Sequence, residues 1–321
     1  TGGGSPDMNL PRGALGVLLV AALVVAGLVL PRWLVFLLAL ALAKGVAVLS
    51  VVVLMRAGLV SFGQGLFFAG AAYAAGFAMR WWGIREALLL VPWSVGLAVG
   101  LGALAGLLVA RYRDIFFAML TLALSMVLYG VLIKAYGVTG GSDGIRIPTP
   151  TLLGLQLSGD DARLVVYYLA VAATAAAAWA VGRYAAAPAG YLAHAVRDNE
   201  VRVAYLGAPV SRIVYAAFLL SSGLAGLGGA LTALNVGHVD PGLAYWTTSG
   251  ELVFIAVLGG TGTVLGPLAG AVVYELIRSY AFKYAPYAWQ MLVGAAMLLI
   301  ILFLPGGLWS PVERVWRRAQ G

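Results

Sequence analysis

Four charged side chains fall within six consecutive positions of an otherwise strongly apolar chain: Arg197, Asp198, Glu200 and Arg202. Long apolar segments flank them on both sides, and charges at this density cannot lie in hydrocarbon. Their chemistry is that of ion pairs and hydrogen bonds to another polar surface. Residues 195–207, which we call the charged segment, therefore predict a short soluble element held against a membrane and suited to contact a soluble partner.

The charged segment also carries signals for a helix. Asp198 or Asn199 can cap a helix N-terminus, Val201 begins an apolar pattern at helical spacing, and Gly207 followed by Pro209 marks an end. Two interpretations are open. The helix is either an amphipathic connector on the membrane surface or a docking helix whose apolar stripe enters a groove on a soluble protein.

Five ionisable residues lie within apolar segments or near their ends, where each is a functional candidate: Lys44, Lys134, Glu251, Glu275 and Arg278. Lys134 and Arg278 are near segment ends, so we expect their long side chains to reach the interface. Lys44 lies well inside the second segment, and Glu251 opens a short one. Either can pair internally, but the sequence identifies no partner for them.

Two glycine-rich stretches interrupt the apolar segments, one at 57–70 and the other at 259–267. Broken helices expose backbone groups, which a membrane tolerates only where they line a cavity or pack within protein. We therefore expect a translocation path or gate there, with six candidate residues: Ser61, Gly63, Gln64, Glu251, Gly259 and Gly260. The glycines within 222–230 instead favour close helix packing.

Several chemistries have no sequence support. The chain has no Gly-x-x-x-x-Gly-Lys-Ser/Thr loop, no Gly-x-Ser-x-Gly elbow and no His-Glu-x-x-His motif, so we expect no catalytic residue, no metal site and no cofactor in this chain. It has no cysteine. The net charge of +8 comes mostly from Arg in short loops beside apolar segments, which indicates membrane topology and not a nucleic-acid partner.

Composition sets the class of protein. Of 321 residues, 62% are hydrophobic and 10% are charged, against roughly 25% charged in a soluble domain. Many apolar runs have the length that a helix needs to cross a bilayer. The sequence predicts an all-α polytopic membrane protein with about ten transmembrane or partial-span helices, near 13–30, 33–55, 57–79, 87–110, 114–136, 163–182, 211–236, 246–258, 266–281 and 286–304.

Orientation follows from the distribution of Lys and Arg. If the N-terminus is cytoplasmic, eleven basic residues fall in cytoplasmic segments and six in outer ones. This predicts cytoplasmic termini and a cytoplasmic charged segment. The predicted organisation is an N-terminal tail at 1–12, in which 1–6 resemble a cloning remnant, one transmembrane domain at 13–310 with a cytoplasmic segment at 184–210, and a basic cytoplasmic tail at 311–321.

Six motifs in register resemble one family. They are SFGQGLFF (61–68), TGGSDG (139–144), RDNE (197–200) with LG (206–207), LAGLGGAL (224–231), LGGTGTVLGP (258–267) and FLPGGL (303–308). In this order they resemble the permeases of branched-chain amino acid ABC importers, specifically the M-type subunit, and the similarity covers nearly the whole chain after about residue 40. Residues 200–207 are also similar to the urea and short-chain amide branch.

The resemblance implies a type II-like importer permease in the lipid bilayer of the bacterial inner membrane. It implies four further subunits, namely a homologous H-type permease, two ATP-binding subunits that carry ATP and Mg, and a periplasmic substrate-binding protein. The expected ATPase contacts are Arg197, Asp198, Asn199, Glu200, Arg202, Ala204, Leu206 and Gly207. The expected periplasmic loop comprises Gly140, Gly141, Ser142 and Asp143.

The function expected from this resemblance is inward transport of branched-chain or other aliphatic amino acids by alternating access, with ATP hydrolysis in a partner chain. Two alternatives stay open. One is a permease for urea or short-chain amides. The other is an ion-coupled secondary transporter, in which Glu251 or Glu275 couples movement of an ion or a proton.

Overall fold

The computed structural model describes residues 9–152, 154, 159–304 and 306–310. Most of the predicted N-terminal tail and the whole tail at 311–321 lie outside them. Twelve helices occur within the described residues: α1 Asn9–Val29, α2 Arg32–Arg56, α3 Gln64–Trp82, α4 Ala87–Val109, α5 Asp114–Lys134, α6 Tyr136–Thr139, α7 Asp160–Ala186, α8 Pro188–Tyr205, α9 Val210–Val236, α10 Trp246–Gly259, α11 Leu265–Tyr284 and α12 Trp289–Phe303. Each of the ten predicted apolar segments overlaps one of them. The chain is an all-α polytopic membrane protein.

Helix α2 forms the centre of the bundle. It consists mostly of Leu, Val and Ala, and from Leu37 to Leu54 nearly every residue is buried. A helix that is apolar on all sides must be covered on all sides, and α7, α9, α10 and α11 pack around it. Among the described residues, five helices are long and apolar enough to cross a membrane, namely α2, α4, α5, α7 and α9.

Small residues allow α9 to approach its neighbours closely. Gly228 has no room for a side chain, because a Cβ there would lie 2.6 Å from the carbonyl oxygen of Ala43 in α2. Ser94, Ala98 and Gly102 form a stripe of small buried residues, four apart, on the α4 helix that packs against α9. The glycines at 222–230 therefore serve close helix packing, as predicted.

The start of the third helix differs from the prediction. The sequence predicted a segment beginning at 57, but α3 begins at Gln64. Gly58 adopts φ = +75° and the backbone N–H of Leu59 bonds to the carbonyl of Leu54, so α2 ends there in a left-handed turn. Residues 57–63 form an irregular connection that is largely buried.

At the opposite end of the bundle from this turn, two loops meet in a short antiparallel ladder. Strand β1, Ile145–Arg146, pairs with strand β2, His238–Val239. The ladder ties the connection between α5 and α7 to the connection between α9 and α10. It fixes the backbone of the predicted periplasmic loop.

Candidate functional site

The charged segment lies in helix α8, which consists of two helical parts that meet at Asn199. Asn199 has extended backbone angles (φ −162°, ψ 97°), and its side-chain oxygen accepts a hydrogen bond of 2.8 Å from the N–H of Arg202. It therefore caps the second part, one of the two capping residues that the sequence offered. Gly207, at φ = +84°, follows the end of the helix as predicted.

Two loops hold α8 in place, one on each side of Asn199. The guanidinium of Arg113, in the α4–α5 loop, donates from Nε to Glu200 at 2.9 Å and from Nη1 to the carbonyls of Ala110 and Tyr112 at 2.7 Å. In the α2–α3 connection, a Cβ on Gly58 would lie 3.2 Å from Cα of Arg197. Glu200 is thus bound to the α4–α5 loop, and Arg197 packs against the α2–α3 connection.

The outward side of α8 combines charged and apolar groups. Val203 is buried against the bundle, whereas Tyr205 is 88% exposed and Leu206 is 82% exposed, with Val201 on the same side. Within the charged segment, the other exposed residues are Arg197, Asp198, Asn199, Arg202, Ala204 and Gly207. This helix therefore presents an apolar patch with charges at its edge, and its opposite side is held to the bundle. Such a patch can insert into a groove on another protein.

The first predicted interruption forms a buried polar seam, by which we mean the hydrogen-bonded groups at the start of α3. Gln64 is fully buried and donates from Nε2 to the Ser221 hydroxyl at 3.0 Å, and that hydroxyl donates to the carbonyl of Ser50 at 2.9 Å. The Ser61 hydroxyl accepts from the N–H of Gly63 at 3.1 Å. Within the described residues, the Gln64 Oε1 atom has no hydrogen-bond partner.

Hydroxyls from neighbouring helices complete the polar seam. The N–H of Phe62 donates to Thr121 in α5 at 3.3 Å, and the N–H of Gly65 donates to Ser249 in α10 at 2.8 Å. A buried helix start needs such partners because its first N–H groups have none within the helix. Sequence reasoning missed Thr121 and Ser249, although hydroxyl side chains in apolar helices are a signal for such partners.

The second interruption is a tight turn between α10 and α11. A Cβ on Gly259 would lie 2.7 Å from Cα of Pro267, and one on Gly260, at φ = +90°, would lie 2.8 Å from the carbonyl oxygen of Gly306. The N–H of Leu308 also donates to the carbonyl of Leu258 at 2.8 Å. These contacts pack backbone on backbone, which explains the glycines without a ligand.

Glu251 belongs to a cluster of four ionisable groups that we call the ion cluster: Lys44, Glu251, Glu275 and Arg278. Lys44 Nζ donates to Glu251 Oε1 and lies 2.6 Å from Glu275 Oε1, and Arg278 Nη1 lies 3.4 Å from Glu275 and 4.0 Å from Glu251. Lys44 and Glu251 therefore form an ion pair with each other. Arg278 joins the ion cluster and does not simply extend to the interface, because two carboxylates lie beside it. Lys134 is exposed at the end of α5.

The predicted periplasmic loop is shaped by left-handed glycines. Gly140 and Gly141 have φ values of +74° and +56°, and the Thr139 hydroxyl donates to the carbonyl of Leu132 at 2.6 Å. Ser142 and Asp143 are exposed. Within the part of the chain that the structure describes, no group of three His, Asp or Glu side chains is placed to hold a metal ion.

Comparisons with known proteins agree on one kind of protein. The family model for the branched-chain amino acid transport system permease component matches residues 33–302. The high-affinity branched-chain amino acid transport system permease protein LivM of Escherichia coli (strain K12) is 28% identical over 278 residues, 80% of this chain and 65% of that protein. The chain thus spans just under two thirds of LivM. No solved structure matches.

A second relative comes from a different import system. The autoinducer 2 import system permease protein LsrC of Klebsiella pneumoniae subsp. pneumoniae is 28% identical over 253 residues, 76% of this chain and 70% of that protein. The family match covers most of the chain and includes both interruptions and α8. This chain belongs to the family of permease components of branched-chain amino acid ABC transport systems.

Proposed function

We propose that this chain is one of two permease subunits of an ATP-driven importer in the bacterial inner membrane, and that it moves branched-chain or other aliphatic amino acids inward. Two ATP-binding subunits and a periplasmic binding protein complete the transporter. Both termini and α8 face the cytoplasm, where an ATP-binding subunit is accessible. Transport proceeds by alternating access, in which ATP binding moves α8 and switches the open side of the path.

The observation that carries this proposal is the second part of α8. It exposes Tyr205 and Leu206 while Val203 and the Arg113–Glu200 ion pair hold it to the bundle. Because the exposed apolar patch is held to the bundle, it can transmit the movement of a bound partner to the helices of the bundle. A helix that merely lay on the membrane surface would not need its Glu to be tied to the α4–α5 loop.

The substrate part of the proposal is supported by the relatives. LivM is named for branched-chain amino acid transport, and the family model carries the same description. The ion-coupled alternative assigned Glu251 and Glu275 as carriers of an ion or proton. Both carboxylates are paired with Lys44, which favours a fixed network over mobile carriers.

The test is to disrupt the exposed patch in the complete transporter. Replacing Tyr205 and Leu206 by Ser should weaken the ATPase contact by about 2 kcal/mol or more, roughly 30-fold in affinity. We expect loss of co-purifying ATP-binding subunits and of ATPase stimulation by the loaded binding protein. Tyr287→Ser is the matched control, since Tyr287 is fully exposed in the loop between α11 and α12, at the other end of the bundle.

Two outcomes would refute the proposal. If the Tyr205 and Leu206 variants keep normal co-purification and ATPase stimulation, α8 is not the contact. If the unmodified chain, reconstituted alone, transports substrate without any ATP-binding subunit, the ATP-driven function itself is wrong.

A further inference from the structure

The ion cluster joins three helices at a depth where charge is unusual. Lys44 is the middle residue of α2, about 18 Å from either helix end at 1.5 Å per residue. Glu251 comes from α10, and Glu275 and Arg278 from α11. Charges in the middle of a membrane protein are costly, so their presence points to a function beyond packing.

The four side chains differ in exposure in an ordered way. The side chains of Glu275 and Lys44 are 4% and 11% exposed, whereas those of Glu251 and Arg278 are 24% and 37% exposed. One carboxylate and one cation thus form a closed inner pair. The other carboxylate and cation form an open edge, which we call the outer pair.

The outer pair is also the loosest contact in the ion cluster. Arg278 Nη1 is 4.0 Å from Glu251, beyond hydrogen-bond distance, while each group is held by a second partner. The guanidinium carbon of Arg278 lies 5.5 Å from the ring centre of Trp289, an aromatic face that supports a cation. Separating the outer pair therefore loses little, because Lys44 stays with Glu251 and Glu275 stays with Arg278.

The open edge is not suited to face lipid. Glu251 shares its side of α10 with Thr247, four positions earlier, and with Phe254, three positions later, both of them exposed. A partly exposed carboxylate at this position would be poorly solvated by hydrocarbon. The edge is expected to face water or a protein neighbour, as the wall of a translocation path does.

We propose that the outer pair is a transient binding subsite for the zwitterionic head group of an α-amino acid. The ammonium group of the substrate pairs with Glu251, and its carboxylate pairs with Arg278. The charges of the inner pair, Lys44 and Glu275, neutralise each other. This inference rests on the proposed function and names the chemical feature that the path recognises. It predicts discrimination against urea and amides, which lack both charges.

The chemistry of the outer pair matches such a head group. In an α-amino acid the ammonium nitrogen and the carboxyl carbon are separated by one Cα and lie about 2.5 Å apart, so both ends can be bound at once by neighbouring groups. Arginine presents several N–H donors in a plane and can bind a carboxylate through two of them. Binding replaces the ion pair between Glu251 and Arg278 with two ion pairs to the substrate. The total charge stays at zero, which allows release of the substrate as well as binding.

The test uses photo-leucine, a diazirine analogue of leucine, on the assembled transporter without its binding protein. We expect labelling of peptides from α10 and α11, with leucine as an effective competitor. Isopentylamine lacks the carboxylate and 4-methylpentanoate lacks the ammonium group, so each should compete at least tenfold more weakly than leucine. These measurements need no substitution and do not depend on the folding of a variant.

Variants then assign the residues. Arg278→Gln and Glu251→Gln should each lower the labelling at least tenfold, while Lys134→Gln, an exposed basic residue at the end of α5, should leave it within twofold. The inference is overturned if labelling is absent or falls on other helices, if the half-molecules compete as well as leucine, or if Arg278→Gln labels like the unmodified chain.

Failure of this inference can be separated from failure of the proposed function. Uptake of leucine by the unmodified transporter in proteoliposomes, with ATP inside and the binding protein outside, tests the function directly. If leucine enters but the labelling pattern is missing, only the subsite is wrong. If urea enters and leucine does not, the substrate assignment fails and the subsite fails with it.

Discussion

Gly229→Ala tests whether α9 packs as closely as the structure indicates. Gly229 faces α3, where an added Cβ would overlap the carbonyl oxygen of Phe68 and lie 2.7 Å from its carbonyl carbon and 2.9 Å from its Cα. These are backbone atoms, so no flexible side chain can move aside. Gly100, in α4, is the control because a Cβ there would meet nothing within 4 Å.

The magnitude follows from the distances. Carbon atoms in contact lie about 3.5–4.0 Å apart, so the α3 and α9 backbones must separate by roughly 1 Å. Overpacking of this kind costs about 1–3 kcal/mol, and backbone displacement places Gly229→Ala at the upper end. Alanine normally stabilises a helix by about 0.5–1 kcal/mol over glycine, so Gly100→Ala should be neutral or slightly stabilising.

The assay is unfolding of the two variants by SDS in mixed micelles, with thermal unfolding in mild detergent as a second measurement. We expect the free energies of unfolding of the two variants to differ by about 3 kcal/mol, on the order of 100-fold in the unfolding equilibrium. The reasoning fails if Gly229→Ala is as stable as the unmodified chain, or if both substitutions have the same effect.

The same assay tests the buried polar contacts. Lys44→Met leaves the carboxylates of Glu251 and Glu275 beside a single cation, Arg278, and should destabilise the fold by about 3–5 kcal/mol. Lys44→Met with Glu275→Leu should cost less than the single change, and an equal or greater loss in the double variant would contradict the pairing. Ser249→Ala removes the acceptor of the Gly65 N–H and should cost about 1–3 kcal/mol, whereas Ser94→Ala, whose hydroxyl has no partner among the described residues, should be neutral.

Apolar runs were sufficient to locate the helices, because the segments that must cover one another in a membrane are continuous in sequence. The start of α3 was less accessible. The predicted end of the second segment at 55 lies one residue from the end of α2 at Arg56, but the next segment was expected from 57 and α3 begins only at Gln64. The irregular backbone in between is held by distant groups, such as Thr121, which accepts from the N–H of Phe62, and an apolar pattern carries no signal for such contacts. For α8, in contrast, Asn199 and Gly207 are local signals and both act where the sequence placed them.

The polar partners could not be predicted for a different reason. Lys44 and Glu251 are 207 positions apart, and Gln64 and Ser221 are 157 positions apart. Helical periodicity relates residues within a few turns and carries no information over such distances. The sequence could name Lys44, Glu251 and Gln64 as costly residues in an apolar setting, but their partners depend on which helices pack together.

Helix α2 connects the two regions to which we assign roles, the ion cluster and the contact with α8. Its middle carries Lys44 of the ion cluster, and its end continues into the turn at Gly58, where α8 packs so closely that a Cβ on Gly58 would lie 3.2 Å from Cα of Arg197. Packed interiors transmit displacement because they have little free volume. Under the proposed function, we therefore expect a partner that moves α8 to act on the same helix that holds Glu251 in place, and we expect docking at α8 to be coupled through α2 to opening of the outer pair.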